Sequence, residues 1–300
     1  MSTTASAISR QDEEDEIEYA QTPQTLLCAL EANSSLLQPG QLWSRLVALD
    51  NLDANFGSID AANLPERAKT LRTQLEAANA DLYQSVRSTI VRTGQPHALL
   101  RWLHDPASRI KSTPAPGLGF DCRDEFVSGI LPLREPDEPN PRQSPEMVPY
   151  QPTPVRHILD LIAAATIAEN DAFVDLGSGL GHVPLLVSLI TGARSVGIEV
   201  EAAYVASAQE CAQSLHLHRV RFLPQDAREA DLSSGTVFYL YSPFSGSILS
   251  HVLNALQRES ASRPIKVCSL GPCTRTLARE SWLKASTPPD PSRITVFDSQ

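Results

Sequence analysis

Residues 172–181 read A-F-V-D-L-G-S-G-L-G, a short apolar run that ends in three glycines at alternate positions. An apolar run of five residues that stops at glycine predicts a buried strand over 172–176, and the apolar residues beyond the glycines predict a helix. Glycines at such a turn let the chain bend tightly and let a ligand lie against the backbone. The first turn of the following helix offers free N–H donors. The stretch therefore predicts a ligand site in a strand–turn–helix unit.

Two details separate this loop from the dinucleotide-binding pattern G-x-G-x-x-G. The third glycine, Gly181, comes one position early, and Asp175 stands directly before the loop. A carboxylate at that point repels a pyrophosphate and attracts a ligand with a cationic end. The loop therefore favours a cationic ligand over a dinucleotide.

Strand and helix patterns alternate from Tyr150 to the end of the sequence, which predicts an α/β fold with a Rossmann-like, doubly wound, mainly parallel sheet. Thr153 and Pro154 read as the N-cap and first residue of the helix that precedes the first strand. Residues 282–285 are expected to pair with residues 294–297 at the end of the chain. The other predicted strands cover residues 194–199, 220–223, 236–241 and 265–270.

Two more carboxylates follow the next predicted strands. Glu199 ends the second strand, where a carboxylate can accept hydrogen bonds from both hydroxyls of a ribose. Asp226 follows the third strand and can accept a hydrogen bond from an adenine amino group. The carboxyl ends of parallel strands meet in one crevice, so Asp175, Glu199 and Asp226 are expected to share a site. Together they fit an adenosyl amino acid with a cationic end, and S-adenosylmethionine is such a ligand.

Residues 150–273 resemble the class I S-adenosylmethionine-dependent methyltransferases. D-L-G-S-G-L-G (175–181) is similar to their first motif, G-I-E-V-E (197–201) to their ribose-binding strand end, and P-Q-D-A (224–227) to their adenine-contact loop. The resemblance implies methyl transfer from S-adenosyl-L-methionine, with S-adenosyl-L-homocysteine as product and no metal. The cofactor-binding residues that it implies are Tyr150, Gln151, Thr153, Asp175, Gly177, Ser178, Gly179, Gly181, Glu199, Asp226 and Ala227.

The phrase F-V-D-L-G-S-G-x-G-x-V is also similar to the non-SET histone-lysine methyltransferases of the disruptor-of-silencing type. Y-Q-P-T-P (150–154) looks like the loop that those enzymes place over the methionine end of the cofactor. Their Asn-rich catalytic motif and a basic tract suited to nucleosomal DNA are absent from this sequence. The histone substrate is therefore not carried over.

The fourth predicted strand ends in Tyr241, Ser242, Pro243 and Phe244, where this family positions the methyl acceptor. Amino-group methyltransferases of the family often have Asn/Asp-Pro-Pro-aromatic there, and this sequence matches only Pro243 and Phe244. The four residues are predicted to position the acceptor. Whether nitrogen, oxygen or carbon is methylated stays open, and no general base is assigned because positioning can supply much of the acceleration.

Two other functions remain open from the sequence. One is a Rossmann-type oxidoreductase that uses NAD or FAD, against which Asp175 and the early Gly181 both speak. The other is a non-catalytic methyltransferase-like scaffold that binds partners through its N-terminal part.

The 300-residue sequence has 42 % hydrophobic residues, 20 % charged residues and a net charge of −10. Residues 1–20 contain six acidic side chains and one basic side chain, which predicts a disordered acidic tail. Residues 21–110 are predicted to form a helical subdomain, because apolar residues recur every three or four positions from Ala68 to Ile90. Residues 111–149 are rich in proline and predict a linker or surface loop. Residues 150–300 form the predicted methyltransferase domain.

Composition also limits partners and location. The negative net charge disfavours nucleic acid, and the aromatic fourth strand favours a protein side chain or a small molecule as acceptor. No apolar run reaches the 18 residues that suggest a membrane span, and no secretory signal precedes the body of the sequence. Five scattered cysteines without a C-x-x-C pair predict neither disulfides nor zinc, so a cytoplasmic protein is expected. The oligomeric state and the role of the helical part stay open.

Overall fold

A computed structural model describes residues 22–56, 65–109, 119–136 and 144–300. The predicted acidic tail, residues 1–20, lies outside the described residues. No helix within the described part of the chain is long and apolar enough to cross a membrane.

Seven strands form one sheet in the order β3-β2-β1-β4-β5-β7-β6. Strands β1 to β5 pair in parallel, whereas β7 runs antiparallel to both β5 and β6. The sequence predicts the pairing of β6 with β7 but not that of β7 with β5. This arrangement confirms the predicted α/β fold with a mainly parallel sheet. The strands are β1 (Ala172–Leu176), β2 (Arg194–Glu199), β3 (Val220–Pro224), β4 (Val237–Leu240), β5 (Lys266–Ser269), β6 (Leu283–Ala285) and β7 (Thr295–Ser299).

Both faces of the sheet are covered, because side chains along a strand alternate between its two faces. Phe173 and Tyr239 belong to one buried apolar cluster, and their neighbours Val174 and Phe238 belong to another on the opposite face. All five residues of β1 are buried, which explains its continuous apolar sequence. The helices of this part are α6 (Val155–Ala164), α7 (His182–Thr191), α8 (Ala202–Ser214), α9 (Gly246–Ser260) and α10 (Thr274–Leu277).

The start of α6 differs from the prediction by one residue. Pro154, not Thr153, is the N-cap, and no side chain of its own caps the helix. The backbone N–H of Val155 donates instead to Asp124 Oδ1 at 2.7 Å. The Thr153 hydroxyl lies 3.3 Å from the hydroxyl of Tyr239, so it joins the helix to the sheet.

The N-terminal part of the chain is helical. The spacing from Ala68 to Ile90 corresponds to the long helix α3, which ends at the left-handed Gly94. The fully buried Arg45 donates from Nε to Asn79 at 2.6 Å and from Nη1 to two backbone carbonyls, and so joins α2 to α3. The helices here are α1 (Pro23–Ala32), α2 (Leu42–Phe56), α3 (Glu66–Thr93) and α4 (His97–Leu103).

A further helix, α5 (Cys122–Ile130), lies within the stretch predicted to be a linker. Asp121 and Asp124 form a capping box at its start, and Phe126 and Ile130 are fully buried. The Phe126 ring lies 5.9 Å from the ring of Trp43 on α2. The helix therefore packs against the N-terminal helices, and its Asp124 also binds the start of α6. The proposed division into domains stays a prediction.

The sheet order fixes where a ligand can bind. β1 lies between β2 and β4, so the connections that leave β1 and β4 run to opposite faces of the sheet. In open parallel sheets, the crevice at this switch point, outside the carboxyl ends of the strands, is the usual ligand site. The glycine loop after β1 lies there.

Candidate active site

The glycine loop is held against β2 and covered by two neighbouring segments. Gly177 and Gly179 have φ angles of +86° and +52°, a conformation that side chains with a Cβ disfavour. The backbone N–H groups of Gly177 and Ser178 both donate to the carbonyl of Ile198, at 2.8 and 3.0 Å. A methyl group at Gly177 would overlap Pro243, and one at Gly179 would overlap the ring of Tyr150. Glycine is therefore needed both for the turn and for the close packing.

Two residues of the loop face the sheet instead of the cavity. A methyl group at Gly181 would overlap the Phe222 ring on β3. The Ser178 hydroxyl is buried beside Gly197 and has no hydrogen-bond partner among the described residues. Gly181 and Ser178 do not line the cavity, and neither does Gly179, which Tyr150 covers. Their geometry supports a packing role, unlike the cofactor contact that the sequence predicts for them.

A cavity of about 870 Å³ opens at the carboxyl ends of β1 to β5. Its volume lies in the upper part of the 300–1,000 Å³ range of small-molecule sites. Three of its lining side chains are carboxylates, and none of the described lining residues is lysine or arginine. The predicted site residues that line it are Tyr150, Gln151, Thr153, Asp175, Gly177, Glu199, Asp226, Ala227, Tyr241, Ser242, Pro243 and Phe244.

Asp175 is the buried carboxylate of the cavity, with 3 % of its surface exposed. It pairs in register with Tyr239 on β4, so both side chains lie on the same face of the sheet. Burial first, and then the charge of Glu199, raise the pKa of Asp175 well above its ordinary value. A cation bound beside Asp175 would offset both effects, which is the fit expected for a ligand with an ammonium group.

Glu199 connects the end of β2 to the glycine loop. Its Oε2 accepts a hydrogen bond from the backbone N–H of Gly179 at 2.8 Å, and its Oε1 accepts one from the N–H of Glu201 at 2.9 Å. A carboxylate oxygen can accept two hydrogen bonds, so each keeps capacity for another donor. This capacity fits the two hydroxyls of a ribose.

Asp226 lies after β3 and caps the short 3₁₀ helix Ala227–Glu229. Its Oδ1 accepts a hydrogen bond from the backbone N–H of Arg228 at 2.9 Å, and the Arg228 guanidinium donates to both oxygens. These bonds hold the pKa of Asp226 below its ordinary value. The neighbouring Ala227 packs in one apolar cluster with Phe244 and Ile248, so an ionised acceptor lies beside an apolar wall. That combination fits the amino edge and the faces of an adenine.

A segment at the start of the predicted domain, residues 146–151, lies over the cavity. Both oxygens of Glu146 accept hydrogen bonds at the start of α9, from the N–H groups of Ser247 and Ile248 at 3.0 and 3.1 Å. The N–H of Val148 donates to the carbonyl of Pro243 at 3.0 Å. The segment is therefore attached to the loop that follows β4.

Tyr150 extends this segment across the glycine loop. Its hydroxyl lies 3.1 Å from Nδ1 of His182, and its ring centroid lies 5.1 Å from that of Tyr204 on α8. Burial lowers the pKa of His182 to about 4, so the imidazole is neutral. Tyr150 thus covers Gly179 through contacts on both sides.

The four residues predicted to position the acceptor have different surroundings. Ser242 has a φ of +44°, and its hydroxyl donates to the carbonyl of Leu270 at 3.0 Å and accepts from the N–H of Cys273 at 2.9 Å. The Pro243 carbonyl accepts a hydrogen bond from Val148 of the 146–151 segment, and Phe244 is buried in the apolar cluster with Ala227. The hydroxyl of Tyr241 has no hydrogen-bond partner among the described residues. We therefore keep Tyr241 as the acceptor-positioning candidate and assign Ser242 to the connection between the loops.

Several lining residues were not predicted from the sequence. Some of them stand next to the motifs and others lie in distant segments, and no local pattern marks them because folding brings them to the cavity. They include Glu146 as the anchor of the covering segment and, on the cavity wall, Met147, Val148, His157, Tyr204, Tyr239, Leu270, Pro272 and Pro291.

Comparison with known proteins supports the cofactor assignment. A family model described as "Histone methylation protein DOT1" matches residues 147–238. The matched region contains Tyr150, the glycine loop, Glu199 and Asp226, and it ends within β4. Among curated proteins, no sequence matches this chain.

Solved structures that resemble part of the chain include three methyltransferases. An RNA methyltransferase from Salinibacter ruber, in complex with S-adenosyl-L-homocysteine, is 28 % identical over 50 % of this chain and 92 % of its own, with a TM-score of 0.42. A tRNA (uracil-54, C5)-methyltransferase from Pyrococcus abyssi with the same ligand is 15 % identical over 50 % and 40 %, with a TM-score of 0.38. An O-methyltransferase from Thermotoga maritima is 14 % identical over 50 % and 67 %, with a TM-score of 0.39. All three scores lie below 0.5, so the overall similarity is limited.

The predicted fold class and the predicted cofactor are confirmed, and the acceptor is undetermined. The buried Asp175, the loop held by Glu199 and the capped Asp226 line one cavity and fit the ammonium, ribose and adenine of S-adenosylmethionine. The family match spans these same residues. Residues 147–238, which hold the glycine loop and the three carboxylates, are thus similar to the methyltransferase family that this model describes.

Proposed function

We propose that the cavity binds S-adenosylmethionine with its ammonium at Asp175, its ribose hydroxyls at Glu199 and its adenine beside Asp226 and Ala227. One observation carries this proposal. Three carboxylates at the carboxyl ends of three successive strands line a single cavity, whose described lining contains no lysine or arginine. Such a charge pattern favours a cationic ligand without phosphate.

When bound, S-adenosylmethionine supplies a methyl group on a cationic sulfur. The residues of this chain bind the cofactor and orient it. Asp175 holds a positive charge within the cavity, Glu199 fixes the glycine loop, and Tyr150 covers that loop and excludes water from it. Holding two reactants in line is enough for a large part of the acceleration of such a displacement.

The acceptor is proposed to be a protein side chain or a small molecule that reaches the cavity beside Tyr241. The absence of lysine and arginine from the described lining favours these classes over a nucleic acid, whose phosphates need basic partners. A cytoplasmic location is part of the same proposal, supported by five scattered cysteines that form no C-x-x-C pair.

The direct test incubates the full chain with methyl-labelled S-adenosylmethionine and a cell extract. The products are then divided by protease, by nuclease and by solvent extraction, with recombinant histones as a separate acceptor. We expect label that is protease-sensitive or solvent-extractable in wild type and at least tenfold less label in Glu199→Ala. Label only in the nuclease-sensitive fraction would refute the acceptor class, and absence of label in every fraction would refute methyl transfer.

A further inference from the structure

The cavity continues beyond the cofactor carboxylates to the ends of β4 and β5. We call this part the acceptor pocket, and its wall consists of His157, Tyr239, Tyr241, residues 270–273 and Pro291. The N–H of Gly271 donates to the carbonyl of Pro291 at 2.9 Å, which holds the loop before β7 against β5. The pocket is therefore built from fixed elements of the sheet and its loops.

The acceptor pocket carries no formal charge on its described lining residues at neutral pH. Burial and the neighbouring Arg156 lower the pKa of His157, and burial raises the pKa of the Cys273 thiol and of Tyr241. Asp290 and Arg293 flank the lining residues Pro291 and Ser292, and their side chains form an ion pair with each other at 3.0 Å. With Asp175 engaged by the cofactor ammonium, a protonated amine would enter this pocket without a further counter-charge, and burial of an unpaired charge is costly.

The polar groups at the end of β4 offer few free acceptors to an amine. The Ser242 hydroxyl already donates to Leu270 and accepts from Cys273, and the Pro243 carbonyl already accepts one hydrogen bond from Val148. The Tyr241 hydroxyl has no partner among the described residues, and burial keeps it protonated. It can therefore donate a hydrogen bond to an oxygen or sulfur nucleophile in the pocket.

We propose that the acceptor is an uncharged small molecule with an apolar body and a phenol or thiol as its nucleophile, oriented by the hydroxyl of Tyr241. This inference rests on the proposed function. Phenols and thiols lose a proton at pKa values of about 10 and about 8.5, so they can ionise to water without a buried base. The mostly apolar lining of the cavity suits the body of such a molecule.

Methyl transfer to such an acceptor needs no reactant besides S-adenosylmethionine. The acceptor gives its proton to solvent, and a lone pair of its oxygen or sulfur forms the bond to the methyl carbon. The bond between that carbon and the cofactor sulfur breaks, and its electron pair stays on the sulfur, which becomes a neutral thioether. The products are a methyl ether or methyl thioether and S-adenosylhomocysteine.

The test compares acceptors of similar size with different nucleophiles. 2-Phenylethanethiol and 4-ethylphenol are uncharged at neutral pH, whereas 2-phenylethylamine is cationic. Methyl transfer is measured with the full chain and labelled S-adenosylmethionine. Binding of each probe is measured by calorimetry on protein saturated with S-adenosylhomocysteine. We expect the thiol or the phenol to bind and to be methylated, and the amine to do neither.

Tyr241→Phe is expected to lower kcat/KM for the accepted probe at least tenfold and to leave the affinity for S-adenosylhomocysteine within twofold. Tyr83→Phe, a matched loss of a hydroxyl on α3, is expected to change neither. Preference for the amine or for a histone, failure of both uncharged probes to bind, or full activity of Tyr241→Phe would each overturn the inference. If the wild-type protein does not bind S-adenosylhomocysteine, the proposed function is overturned instead.

Discussion

The carboxylate of Glu199 holds the glycine loop directly, because its Oε2 accepts a hydrogen bond from the backbone N–H of Gly179 at 2.8 Å. The two residues lie 20 positions apart, on consecutive strand–helix units. The same side chain lines the cavity where the ribose is proposed to bind. A change at Glu199 should therefore affect the cofactor in two ways, by loss of an acceptor and by release of the loop.

We predict that Glu199→Ala weakens the binding of S-adenosylhomocysteine at least tenfold, which corresponds to about 1.4 kcal/mol. Glu199→Gln should bind with intermediate affinity, because its single amide oxygen can replace only one of the two carboxylate acceptors. Calorimetry measures both affinities. Glu210→Ala, which changes an exposed residue of α8, is the control. Wild-type affinity in Glu199→Ala would contradict the assignment.

The raised pKa of Asp175 leads us to expect that cofactor binding depends on pH. Its pKa is raised in the ligand-free protein by burial and by Glu199, so the folded protein retains a proton there that the unfolded chain loses. Stability without ligand should therefore fall as the pH rises from the unfolded pKa through the folded pKa. A bound ammonium favours the carboxylate, so binding should release this proton and tighten as the pH rises through the same window.

The isosteric variant Asp175→Asn separates binding from folding at this position. We expect it to lose the proton release and at least tenfold in affinity for S-adenosylhomocysteine, while its melting temperature at pH 8 stays equal to or above that of wild type. Calorimetry in buffers of different ionisation enthalpy measures the proton release. An Asn variant with unchanged affinity would argue against a cation at this site.

The contact between Gly179 and Tyr150 can be tested with a matched pair of glycine variants. Gly179→Ala introduces a methyl group that overlaps the Tyr150 ring, at a φ of +52°. Gly94→Ala introduces the same strain at a φ of +63° in open space, where only the backbone cost of about 1–2 kcal/mol is expected. Denaturant unfolding should give a larger loss for Gly179→Ala, and only this variant should weaken cofactor binding. Equal losses of unfolding free energy in both variants would show that the Tyr150 ring moves aside without cost and does not pack tightly on Gly179.

Glu146 should control the segment that covers the cavity. Glu146→Ala removes hydrogen bonds to Ser247 and Ile248, and hydrogen exchange over residues 144–151 should become faster. The affinity for S-adenosylhomocysteine should fall about fivefold, since Tyr150 is then held less firmly over the loop. Glu259→Ala, at the far end of α9, is the control. Unchanged exchange in Glu146→Ala would exclude this anchoring role.

The three carboxylates could be predicted from the sequence for a simple reason. Asp175, Glu199 and Asp226 stand at or just after the ends of short apolar runs, and parallel strands bring such ends to one edge of a sheet. The alternation of strands and helices is enough to predict a mainly parallel sheet, although it does not give the order of the strands. The charge pattern of the site therefore follows from local sequence.

The covering segment and the acceptor end could not be predicted in this way. Glu146 binds Ser247, 101 positions later, and the proline-rich stretch around it gives no sign of that partner. The role of Ser242 depends on its left-handed backbone, with a φ of +44°, which directs its hydroxyl to the end of β5. The glycine pattern likewise does not reveal that Gly181 faces Phe222 and not the cavity. These features come from tertiary packing.

The central claim, that this cavity is built for S-adenosylmethionine, is tested most directly by calorimetric titration of the full chain with S-adenosylhomocysteine and, separately, with NAD. The account predicts one molecule of S-adenosylhomocysteine bound per chain and no binding of NAD. Binding of NAD without binding of S-adenosylhomocysteine would contradict it.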